Sequence, residues 1–142
     1  MSELTARLAA EIEAIKETYA AVNRNDIPAA VNAFDPQMEW IEPPHYPGAG
    51  THRGHAEVMA NISKGRNAWA EGTCEPERFI VAGDKIVVFV RVRVRLKDHV
   101  EWIDARFADV YTFRNGTAIQ MRSFGERREA LEWAGAKDPE AN

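Results

Sequence analysis

The sequence predicts an α+β domain in which a curved antiparallel sheet wraps around N-terminal helices and encloses a cone-shaped pocket. Three observations point there. Residues 4–22 repeat apolar side chains at helical spacing. From Thr73 onward the period changes to two, across four segments separated by tight turns. The whole is 142 residues with 45% hydrophobic and 28% charged side chains, enough for one core and too apolar for wholesale disorder.

In the first segment Leu4, Leu8, Ile12, Ile15, Tyr19 and Val22 form one stripe, with charged residues elsewhere on the wheel. Asp26 caps a second helix over 27–34, with Pro28 in its first turn, and Asp35-Pro36 stops it because the residue before proline avoids helical geometry. "QMEWIE", 37–42, alternates as a strand with Met38, Trp40 and Glu42 on one face. A loop over 43–54 follows. Residues 55–69 read as a helix with Val58, Ile62 and Trp69 inward. Strands are expected over 73–83, 85–97, 100–114 and 117–125, and a last short helix over 126–135. The single domain spans 1–135, and 136–142 form a polar tail expected to fray.

The longest strand fixes a register. In "VRVRVRL" Val90, Val92, Val94 and Leu96 share one face, and Arg91, Arg93 and Arg95 the other. A two-residue turn at Asp98-His99 sets Val94 against Ile103, Val92 against Ala105 and Val90 against Phe107, all apolar. It sets Arg93 against Asp104 and Arg95 against Trp102 on the outside. The same register carries Asp109 to the inner face, opposite Val88. At the next turn, Asn115-Gly116, strict two-residue pairing places Asp109 opposite Arg122 as an ordinary ion pair. A bulge would instead turn Arg122 outward.

Composition excludes several classes. A net charge of −4 disfavours a general nucleic-acid binder, whose affinity rests on clustered Lys and Arg. One cysteine, Cys74, rules out an internal disulfide. "IVVFV" is far short of a membrane span, and the N-terminus has no signal-peptide core, so a cytoplasmic protein is expected. His45, His52 and His55 match no zinc motif, and neither a metal nor any other cofactor is expected.

"AAVNRNDIPAAVNAFDPQMEWIEP" and "DVYTFRNGTAIQMRSFGE", in this order, resemble the nuclear transport factor 2-like superfamily, and within it the SnoaL-like and ketosteroid-isomerase-like branch. The likeness covers roughly residues 8–130 and implies the cystatin-like cone. It implies a general base at Glu42, the acid before proline at the end of the first strand, and a protonated hydrogen-bond donor at Asp109. It also implies that Met121 and Ser123 face inward. The branch's helix tyrosine falls on Thr18; Tyr19, next to it, lies on the apolar stripe.

The residues support the same chemistry independently. Removing a proton from carbon beside a carbonyl needs a base near the carbon and donors near the oxygen. Glu42 is the candidate base, Asp109 the candidate donor and Tyr19 a second donor. Trp40, His45, Tyr46, Phe107, Tyr111, Met121 and Ser123 are the candidate pocket lining. Each has a plainer reading: Glu42 as a solvated strand end, Tyr19 as core, Asp109 as Arg122's partner. The expected function is a cofactor-free isomerase or cyclase acting on a small apolar carbonyl compound. A non-catalytic ligand-binding or dimerisation module is the alternative. A homodimer is expected to pair through the outer sheet face at Arg93, Arg95, Trp102 and Asp104.

Overall fold

The computed structural model describes residues 2–138. Helix α1 (Glu3–Asn23) is capped by the Ser2 hydroxyl, which accepts from the Thr5 N–H. Helix α2 (Ile27–Ala30) follows with Asp26 as its cap. Strand β1 (Phe34–Glu42), the short β2 (Gly50–Arg53) and helix α3 (Gly54–Asn67) come next. Strands β3 (Trp69–Ala82), β4 (Lys85–Leu96), β5 (Trp102–Arg114) and β6 (Thr117–Phe124) complete the sheet, and α4 (Arg127–Ala134) ends at Gly135 in left-handed geometry.

The six strands lie in the order β2-β1-β6-β5-β4-β3. The expectation of a sheet antiparallel throughout is not met: β1 runs parallel to β6. The second helix is shorter than the expected 27–34, because β1 begins at Phe34 and runs through Asp35-Pro36. Proline is accommodated there because the β1–β6 pairing is interrupted between Phe34 and Glu39, where no ladder N–H is required. The expected loop over 43–54 is loop only as far as Ala49; Gly50–Arg53 pairs with β1 as an edge strand. Trp69 leaves the third helix and opens β3, with the Arg66 guanidinium 4.9 Å from its ring centre.

The β4–β5 register is the one expected, with Val94 opposite Ile103, Val90 opposite Phe107 and Asp109 opposite Val88. On the outer face the contacts of Arg91 and Arg93 to β5 run diagonally, and that of Arg95 to β3 runs straight across. Arg91 forks onto Asp104 at 2.7 and 3.0 Å, Arg93 stacks over Trp102 at 4.7 Å, and Arg95 bonds Glu71. Long arginine side chains reach a diagonal neighbour as easily as the one opposite.

Two apolar clusters hold the sheet. The larger fills the inner face, where Ile15, Tyr19, Met38, Val58, Ile62, Val88, Tyr111 and Met121 meet. The smaller sits on the other face, where Val87, Phe89, Ala108 and Val110 pack under Ala130 of α4. Strand β5 is therefore buried on both sides from Ala108 to Phe113, and a polar residue in that stretch needs partners. Past α4, Asp138 forks onto Arg78 at 2.6 and 2.8 Å. The remainder of the expected tail lies outside the described residues.

Candidate functional site

The position of Asp109 follows from one extra residue. Arg114 pairs with Thr117 and Phe113 with Ala118 across the Asn115-Gly116 turn, but Thr112 pairs with Gln120, so Ile119 is unmatched. Beyond this bulge Asp109 faces Ser123, and Arg122 falls opposite Val110 with its guanidinium over Trp133 at 5.1 Å. The ion pair with Arg122 is thus absent, and Asp109 looks inward at 4% exposure.

Tyr19 donates to Asp109 Oδ2 at 2.5 Å, and Tyr111 donates to the Tyr19 oxygen at 3.0 Å. Asp109 Oδ1 is buried with no hydrogen-bond partner. Burial pushes the Asp109 carboxyl up; the Tyr19 and Ser123 hydroxyls pull it back, the Glu42 charge adds to the rise, and the result is about 6. The expected neutral acid is therefore present below pH 6, and the carboxyl changes charge just under neutrality. Thr18 takes no part: its hydroxyl donates to the Ala30 carbonyl at 3.0 Å and ties α1 to α2.

Glu42 comes from the end of β1, two residues after Trp40 and hence on the same face. Its Oε2 accepts from Trp40 Nε1 at 2.8 Å and from Asn61 Nδ2 at 2.6 Å. Asn61 was not expected in the site. It stands on α3 between Val58 and Ile62, so its place on the inward face was readable had polar residues been counted with the apolar ones. Gly48 closes over this group: a Cβ there would lie 2.6 Å from Glu42 Oε2 and 2.8 Å from Asn61 Oδ1. Among the described residues, no Lys, Arg or His forms an ion pair with Glu42 or Asp109.

A cleft of about 720 Å³ opens beside Glu42, with Asp109 not on its wall. Glu42, Pro43, Pro44 and His45 line one side, Ser123, Gly125 and Glu126 another, with Arg122 on its wall. That volume suits a small organic ligand. Of the candidate lining residues, His45 and Ser123 border this cleft. Trp40, Tyr46 and Phe107 are half-buried, whereas Tyr111 and Met121 are fully enclosed core side chains behind Asp109. Tyr46 meets Phe107 and His45 edge-on, with ring centres 6.5 and 4.9 Å apart.

The other candidate groups have structural employment. His52 donates to the Gly48 carbonyl and His55 to that of Phe34, at 2.9 and 2.8 Å. Among the described residues no three His, Cys, Asp or Glu side chains are arranged to hold a metal, and no helix is long and apolar enough to cross a membrane. Burial, Asp109 and Glu75 push the Cys74 thiol up, away from the reactive thiolate.

The family model of the SnoaL-like domain matches residues 15–121. Among solved structures, the chain is similar to a nuclear transport factor 2-like protein of unknown function from Burkholderia pseudomallei, at 29% identity and a TM-score of 0.73, covering 89% of this chain and 98% of that one. It is similar to TerC, which was co-crystallised with polyporic acid, at 26% identity and a TM-score of 0.72, covering 89% and 99%. A candidate SnoaL-like polyketide cyclase from Jannaschia sp. CCS1 shares the fold at 16% identity and a TM-score of 0.70, covering 92% and 94%. Curated proteins yield no match.

Proposed function

Because the chain belongs to the SnoaL-like family, whose fold houses many chemistries, we propose from its site that it is a cofactor-free acid–base enzyme, an isomerase or cyclase, acting on a small apolar carbonyl compound. The observation that carries this reading is a pair of carboxyl groups with no ion-pair partner among the described residues, Glu42 from β1 on the cleft wall and Asp109 from β5 buried opposite Ser123, which lines the same cleft. Structural acids at such depth are ordinarily paired. Glu42 takes the proton from carbon: two N–H donors fix its Oε2 and leave Oε1 for the substrate. Asp109, in its protonated form, offers Oδ1 to the oxygen on which charge develops. Tyr19 and Tyr111 hold Asp109 in that orientation. That TerC, a similar chain, was co-crystallised with polyporic acid supports a small organic ligand here.

The test is exchange of the acidic carbon-bound proton of a cyclic enone for deuterium, followed by proton NMR. Wild type is expected to accelerate exchange, and Glu42→Gln to lower the rate by about 10²–10⁴-fold. Equal exchange by wild type, Glu42→Gln and Asp109→Asn would leave only a binding module.

The pairing partner proposed for the outer sheet face is a second copy of this chain. Trp102 stays 43% exposed at the start of β5, and Val100 just before it 91%. The face carries both signs, Arg91, Arg93 and Arg95 with Glu71 and Asp104, so a two-fold contact brings unlike charges together. Sedimentation of wild type is expected to give a dimer and Trp102→Glu a monomer; a monomeric wild type would refute the contact.

A further inference from the structure

We propose that Tyr46 is the hydroxyl that hydrogen-bonds the ligand's oxygen together with Asp109, and that Tyr19 serves only to position Asp109. This rests on the acid–base reading above and names one more member of that site. Three phenols surround Asp109, and each has one proton to give. Tyr111 gives its proton to Tyr19, and Tyr19 gives its own to Asp109 Oδ2. Both protons are committed, so neither reaches a ligand without breaking that chain of hydrogen bonds.

Tyr46 differs on each point. It is half-buried, packs against the cleft-lining His45, and among the described residues its proton is committed to no carboxylate or carbonyl. Its hydroxyl lies 3.7 Å from where a Cβ on Gly125 would stand, an ordinary contact distance, and Gly125 borders the cleft. Burial and the charges of Asp109 and Glu42 push its phenol above the usual tyrosine range, against the pull of Ser123, so it stays protonated as a donor at neutral pH.

The loop that carries Tyr46 is built to hold it there. The Tyr46 N–H donates to the Pro43 carbonyl, and the Tyr46 carbonyl accepts from Ala49, each at 3.1 Å. His52 ties the Gly48 carbonyl at 2.9 Å, and Gly48 sits against Glu42 and Asn61 with no room for a Cβ. The ring rests edge-on against Phe107. One loop therefore places the donor and backs the base.

The experiment compares wild type, Tyr46→Phe and Tyr19→Phe in binding 2-naphthol, whose absorption and emission distinguish naphthol from naphtholate. Asp109 titration by carbon-detected NMR is followed in parallel. Tyr46→Phe keeps the ring contact with Phe107 and is expected to weaken naphtholate binding roughly 10-fold or more, with the Asp109 midpoint unmoved. Tyr19→Phe is expected to raise the Asp109 midpoint, because a donor to the charged form is removed, while the advantage of Tyr46 persists in its background. Equal affinity in wild type and Tyr46→Phe would overturn the assignment, as would equal losses in both variants with Asp109 unmoved. Deuterium exchange that still depends on Glu42 in such a case would leave the acid–base reading standing, so the two failures are separable. Loss of that dependence with the Tyr46 effect intact would sink the enzyme and keep the ligand contact.

Discussion

Asp109→Asn is expected to raise the unfolding free energy by about 3 kcal/mol at pH 8 and to leave it unchanged at pH 4, as read by urea denaturation at both pH values. The folded carboxyl titrates at about 6, above its ordinary 3.8. Between those values the folded chain keeps a proton that the unfolded chain has released. Stability conferred by the neutral form is therefore full below pH 4, declines as pH rises toward 6, and is gone above it. Asparagine carries no charge at any of these pH values, so it escapes the decline. Its amide oxygen accepts the Tyr19 hydroxyl as Oδ2 does now. The same substitution removes the carboxyl proton proposed to meet the substrate, so a more stable protein with impaired exchange is the expected pair of outcomes. An identical pH profile for parent and variant would show that Asp109 titrates normally.

Gly72→Ala is expected to be among the most damaging single changes in the chain. Gly72 lies in β3 opposite Val94 with φ +125°, in a region L side chains rarely adopt. A Cβ there would stand 2.3 Å from the Arg93 carbonyl oxygen and 2.5 Å from Val94 Cα, and these are backbone atoms of β4 that no rotamer change removes. The β3–β4 ladder must open at the irregularity between Trp69 and Glu71. A loss above ~4 kcal/mol is expected, with a fall in melting temperature on the order of 10 °C. Gly65 supplies the control: it sits in α3 with open space where its Cβ would be, and Gly65→Ala is expected to be neutral or to stabilise by about 0.5–1 kcal/mol. Thermal melts of both variants settle the comparison; a Gly72→Ala protein melting within a degree or two of wild type would contradict the clash.

What the sequence made legible follows from where physics is local. Alternation in "VRVRVRL" fixes the β4–β5 register, because a slip by one would bury three arginines. The turn itself centres on Lys97-Asp98, with the His99 N–H donating to the Leu96 carbonyl and Asp98 at φ 64°, and not on the expected Asp98-His99. The family likeness singled out Glu42 and Asp109 as candidates, and the unusual acid on an apolar face drew attention to Asp109 without it. The β5–β6 register was open, since the Asn-Gly turn alone favours the pairing with Arg122 and nothing near Ile119 marks a bulge. Strand β2 was hidden because "GTHR" is too short and polar for a period to show, and Pro36 reads as a stop in any local scan. The protonation of Asp109 depends on groups from α1, β1 and β6, and no local pattern encodes their convergence.

The surplus residue at Ile119 has a consequence beyond its own strand. Every side chain from Gln120 to Phe124 owes its face to a count, one more residue on β6 than on β5, and not to its own chemistry. A hairpin of the same composition with matched arms would bring the Arg122 guanidinium to the acid and send Ser123 to the opposite surface. Relatives that differ by a single insertion or deletion in this hairpin would therefore have a hollow of inverted electrical character on an unchanged scaffold.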